Sequence, residues 1–198
     1  MATYSKTVQT ALLALQSVAS QSVAAGSASD VSGKLGGLAH ARFGRRSASA
    51  AGASVNIRLE SSSKTSGDNS WFPFAQFSSN FAATASQAVS GTVNSGTNVI
   101  TVASTTNLPV GTVVFIDNGT MANGEFGRVK SLVTNTSITI EDNLVNAQTS
   151  STIYTGAEIY SPVSIPPEAV RVRAVADGSL FTQAFAVEVN LLTVDGLS

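Results

Sequence analysis

Alternation of apolar and polar residues with a period of two marks both ends of this chain, and neither end holds enough strands to complete a sheet. Toward the N-terminus, residues 54–60 (SVNIRLE) send Val55, Ile57 and Leu59 to one side and Asn56, Arg58 and Glu60 to the other. Toward the C-terminus, residues 169–175 (AVRVRAV) set Val170 and Val172 against Arg171 and Arg173. Residues 184–194 then set Phe185, Val187, Val189 and Leu191 against Ala186, Glu188, Asn190 and Leu192. LAHARF, residues 38–43, is a further short strand bounded by glycines. Two-stranded pieces are marginal in water, so the strands before residue 80 and those after residue 168 are expected to share one β-sandwich.

Between these ends lies a stretch with hairpin spacing. NVITVAS, TVVFID, FGRVKSLV, SITIED and STIYTGAEIY are five strand candidates, separated by turns such as Asp117-Asn118-Gly119 and Thr134-Asn135-Thr136. The expected fold is therefore all-β: a sandwich built from residues 30–87 and 161–198, interrupted at 88–160 by a small five-stranded barrel-like module. Pro162, Pro166 and Pro167 stiffen the return to the sandwich. Residues 1–29 form a separate N-terminal element. Val8, Leu12, Leu15 and Ala19 are spaced for one face of a short helix, with an extended Ser/Ala-rich arm as the alternative.

Composition narrows the chemistry. The 198 residues contain no cysteine and one histidine, which excludes disulfide scaffolds, thiolate zinc sites and the common histidine-rich metal sites. A formal net charge of -1 gives no basic footprint for nucleic acid. Charged residues make up 12%, about half the usual share, so a large free surface would carry little repulsive charge. Either the protein is made at low concentration, or much of its surface is covered by other subunits, and the second is the functional hint. The N-terminus lacks the pattern of a secretory signal, and no apolar run reaches the roughly 18 residues of a membrane span. The triplets Asn118-Gly119-Thr120 and Asn135-Thr136-Ser137 are accordingly read as turns.

The catalytic candidates are poor. Ser61 and Lys64 have the Ser-x-x-Lys spacing of penicillin-recognising hydrolases, but that chemistry requires a helix and here the pair lies where a strand runs into a turn. His40 has Asp30 ten positions away and no evident nucleophile. Asp117, Glu125, Glu141 and Asp142 match no calcium-loop spacing. No catalytic, cofactor or metal site is expected. Candidate contact residues are easier to name. Arg42, Arg45 and Arg46 form a dense basic cluster suited to an acidic neighbouring subunit. Trp71, Phe72, Phe74 and Phe77 follow a polar turn, SSSKTSGDNS. Adjacent Trp71 and Phe72 cannot both face one side of a strand, so one ring is expected outside the core, as a subunit anchor or, alternatively, a glycan platform.

Residues 30–77 followed by 170–194 resemble, in their order and style, small all-β virion proteins of tailed bacteriophages. There a strand ending in polar residues leads to a turn and a Trp, and the closing strands are rich in Val and Arg. Residues 98–144 are similar to the barrel-like insertions of phage head and tail proteins. The resemblance implies a non-enzymatic virion component, such as a capsid decoration (cement) protein, or a neck or tail protein. It implies many copies per particle or a homo-oligomer, partnered by the major capsid protein or by neck or tail subunits. Location in the virion, after a period in the host cytoplasm, goes with that reading; a receptor- or glycan-binding module is the alternative.

Overall fold

The computed structural model describes residues 4–46, 54–67, 70–79 and 85–197; the side chains of residues 4–10, 196 and 197 lie outside that description. The fold is all-β, with strands numbered here along the chain. Two antiparallel sheets pack face to face. One runs β1 (Tyr4–Val18), β18 (Phe185–Leu197), β4 (Gly36–Arg45) and β15 (Glu158–Ile159), with β16 (Val163–Ser164) also on β4. The other runs β2 (Val23–Ala25), β17 (Arg171–Asp177), β5 (Asn56–Ser62) and β6 (Phe72–Ser78), with β3 (Ser29–Asp30) also on β17. The inner faces are those the alternation assigns: Ile57, Leu59 and Val172 meet Phe43, Phe185, Val187 and Val189 in one core.

The N-terminal segment is neither a helix nor a free arm. It is the edge strand β1, paired with β18 from Tyr4↔Leu197 to Val18↔Phe185. Its register slips at four places along its length. One slip lies between Ala11 and Leu13, and the neighbours Leu12 and Leu13 are both buried in the sandwich core. Bulges of this kind break the period of two, so apolar residues fall at helix-like intervals in a strand. They also blunt a long edge against pairing with another chain.

Residues 86–155 supply a third sheet, which curls. Its order is β7 (Ser86–Ala88), β14 (Thr152–Thr155), β10 (Val113–Asp117), β11 (Glu125–Val133), β12 (Ser137–Ile140) and β9 (Val99–Thr101). A bridge between Val89 and Val102, with Ser90 N–H donating to Thr101 O at 2.8 Å, ties the two outer strands together. β8 (Thr92–Val93) and β13 (Gln148–Thr149) form a small separate pair. Ile100, Leu108, Val114, Ile116, Ile138 and Ile153 fill the curl. The sheet has six strands where five were expected. The extra strand is the polar Ser86–Ala88, which carries no apolar alternation. The last expected strand divides: Thr152–Thr155 stays in the curled sheet, while Glu158–Ile159 crosses to pair with Phe43 and Arg42.

β10 joins the two cores because it is buried on both faces. Val114 and Ile116 point into the curl, and Phe115 points out of it, to Ala186 of the sandwich and to Ala157 in the connection that crosses to it. Phe115 fits because Gly44 lies beneath it; a Cβ there would sit 2.7 Å from Phe115 Cγ. Burying such a ring stabilises the junction by roughly 1.5–3 kcal/mol. Among the described residues no helix is long and apolar enough to cross a membrane.

Candidate functional site

The aromatic segment resolves into one exposed ring and three engaged ones. Trp71 lies over the outer side of the sandwich, with the guanidinium carbons of Arg171 and Arg173 at 4.9 and 4.4 Å from its ring centroid. Both arginines are oriented by other partners. Arg171 donates from Nε to Lys64 O (2.7 Å) and from Nη2 to Gly67 O (3.0 Å), and Arg173 Nε donates to Glu60 Oε2 (2.8 Å). Phe74 and Phe77 pack against the sandwich core, and Phe77 stacks on Tyr160 at 4.8 Å. A register shift between Leu59 and Glu60 lets β6 present the apolar side chains of Phe74, Ala75 and Phe77 to that core. Phe72 is left 65% exposed, next to Pro73 on the edge strand.

The described residues of the turn before Trp71 are tied by hydrogen bonds. Ser62 and Ser70 share a 2.7 Å hydroxyl contact, Lys64 N–H donates to Ser62 Oγ, and Arg171 ties down two carbonyls. Asp68 and Asn69 lie outside the described residues. Ser61 is in β5 and Lys64 beyond its end, so the pair lacks the helical face that hydrolase chemistry requires.

The three clustered arginines go three different ways. Arg45 points into the sandwich, 1% exposed, with its guanidinium 5.6 Å from the Phe181 ring centroid. Burial lowers its pKa, and the Glu158 carboxylate acts in the opposite direction. Arg46 Nε donates to Asp117 Oδ2 at 2.7 Å and its Nη1 to Ser17 Oγ at 2.9 Å, which staples the curled sheet to the sandwich. Arg42 lies 3.4 Å from Glu188 across β4 and β18, with its guanidinium 6.0 Å from the Phe126 ring. Arg45 and Arg46 thus serve internal contacts instead of forming one basic patch for a neighbour. The sequence cluster is local, but its partners lie far along the chain.

The titratable candidates are also dispersed. His40 is on β4 opposite Asn190, while Asp30 is on β3 in the other sheet. Burial, and then the charge of Arg42, hold the imidazole below its ordinary pKa. Tyr160 is pushed far above the ordinary phenol range by burial and then by Glu158. Asp117 is engaged with Arg46 and the Gly119 amide. Glu125 accepts the Val145 and Asn146 amides at 2.9 and 2.7 Å, and Glu141 pairs with Arg128 at 3.7 Å. Among the described residues, no group of three or more His, Asp or Glu side chains could hold a metal ion.

A concave site lies where the two cores meet. A groove of about 350 Å³ has Arg42, Glu188 and Leu15 from the sandwich on one side, and Phe126, Glu125, Asp142 and Asn143 from the curled unit on the other. Small-molecule sites favour such junctions and commonly run from roughly 300 to 1,000 Å³. No protein-family model and no curated protein sequence matches this chain. Two surfaces stand out among the described residues: exposed Phe72 on its braced strand, and the groove. Sequence reading reached the first through the adjacent Trp71-Phe72. It missed the second, whose walls come from five separated segments; the one local signal was the unbroken apolar run Val113-Val114-Phe115-Ile116, which marks a strand buried on both faces.

Proposed function

We propose that this protein is a structural component of a bacteriophage virion, with capsid decoration as the role that fits best. The order of strand, turn and aromatic segment that resembles small phage virion proteins supplies the class. The observation that carries the contact role is Phe72, a large ring 65% exposed on a strand whose neighbours are fixed. An anchor held in place before binding loses less freedom when it docks, and aromatic rings dominate the energetics of interfaces. Trp71 braces this surface, since two arginines already occupy its neighbourhood. Pro73 removes a backbone donor from the same edge, which favours docking by side chains over addition of another strand.

Purified particles provide the test. The chain is expected there in stoichiometric amount, and hundreds of copies per particle would mark decoration where about a dozen would mark a neck ring. Phe72→Glu is expected to reduce incorporation at least about tenfold while the isolated protein keeps its melting temperature, consistent with loss of an interface anchor. Absence of the chain from particles, or undiminished incorporation of the soluble Phe72→Glu variant, would overturn the respective part of the reading.

A further inference from the structure

The groove between the cores is lined by both apolar and polar side chains. Its volume is about 350 Å³ and its lining mixes three kinds of group. Phe126 gives an apolar wall, held by Phe115 at a centroid distance of 5.0 Å. Glu188 and Asp142 supply acceptors, and Asn143 supplies an amide that can donate and accept. Arg42 supplies donors from the accessible end of its guanidinium: the side chain is partly exposed, and its contact with Glu188 is long at 3.4 Å. The site is preformed, because Glu125 fixes the 145–146 backbone and Arg42 and Glu188 project from paired strands.

The ligand class follows from what each alternative would meet. An anion would find Arg42 but also the carboxylates of Glu125, Asp142 and Glu188. A metal cation would find Glu125 already engaged by two amides, no three carboxylates among the described residues grouped to hold it, and the Arg42 guanidinium beside Glu188. An apolar molecule would cover those charged groups without replacing their water, at substantial cost. A neutral ring bearing several hydroxyls avoids all three conflicts. Each hydroxyl can donate to a carboxylate and accept from Arg42 or Asn143, while the C–H face of the ring lies against Phe126. We propose that this groove binds a neutral pyranose sugar, as a monosaccharide or the end of a longer glycan. The proposal is independent of the virion role and concerns a surface separate from Phe72.

Saturation-transfer NMR on the intact chain tests it, with the methyl glycosides of glucose, galactose and mannose, N-acetylglucosamine, lactose and maltose as probes. Signal transfer to ring protons is expected for at least one of them. Asp142→Ala and Asn143→Ala, both at the exposed rim, are each expected to weaken that sugar's binding about tenfold, as loss of a hydrogen bond to a charged or oriented group predicts. Phe72→Ala is expected to leave it unchanged, and the melting temperature should stay constant across all three variants. Transfer to none of the six probes would overturn the proposal. So would binding that ignores both rim substitutions, since the sugar would then sit elsewhere.

Discussion

Gly44 shows how one missing side chain can govern the way two cores meet. It lies on β4 beneath Phe115, in a space where a Cβ would contact both Cγ at 2.7 Å and Cβ at 2.8 Å. Those atoms are close to the backbone and cannot swing away as a flexible chain end could. Gly44→Val should therefore force Phe115 out of its seat and cost about 1–3 kcal/mol, the usual range for overpacking a tight core. Urea denaturation followed by Phe and Trp fluorescence would measure it, and an unchanged midpoint would mean that the two units already separate easily. Nothing near Gly44 in the sequence announces this role. The neighbouring Phe43 and Arg45 attract more notice, yet their buried face belongs to the sandwich, whereas Gly44 faces the curled sheet.

Among the elements, legibility followed regularity. β5, β17 and β18 could be read because unbroken alternation keeps each apolar set on one face, from Ile57 and Leu59 to Val187 and Val189. β1 could not, because its slips of register put Leu12 and Leu13 in the core together. The same slips explain why Leu12 and Leu15, three apart, end in different clusters: Leu12 in the sandwich core and Leu15 at the junction. A regular strand would bury only one of two consecutive leucines against a given core. Leu12→Ala and Leu13→Ala are therefore each expected to cost about 2–5 kcal/mol. Chemical denaturation of the two single variants decides the matter. If one is strongly destabilising and the other nearly neutral, the strand is regular and the bulge is absent. β7 escaped notice for a different reason, since Ser86-Gln87-Ala88 has no pattern and is a strand only through its partner β14.

Across the whole molecule, the all-β class was legible in the sequence and the joining of its parts was not. Alternation reports which face of a strand is buried, but not which distant residue it will meet. Arg46 and Asp117 are 71 positions apart, and each has a local explanation that conceals the pair: a basic cluster for one and a turn for the other. The groove is hidden in the same way, because it exists only once the two units have docked. Two local cores whose junction includes Phe115 and the Arg46–Asp117 hydrogen bond should behave as a single cooperative unit only while that junction holds. The intact chain is expected to show one calorimetric transition, and the double variant Phe115→Ala/Asp117→Ala to show two. The single changes should also be coupled by about 0.5–3 kcal/mol, since neighbouring groups at one junction are not additive. Arg46→Ala alone should cost more than Asp117→Ala, because it leaves the buried Asp117 carboxylate without its counter-charge and also removes the 2.9 Å hydrogen bond to Ser17. A double variant that still melts in one step would show that the strand crossing at Glu158–Ile159 is enough to couple the units.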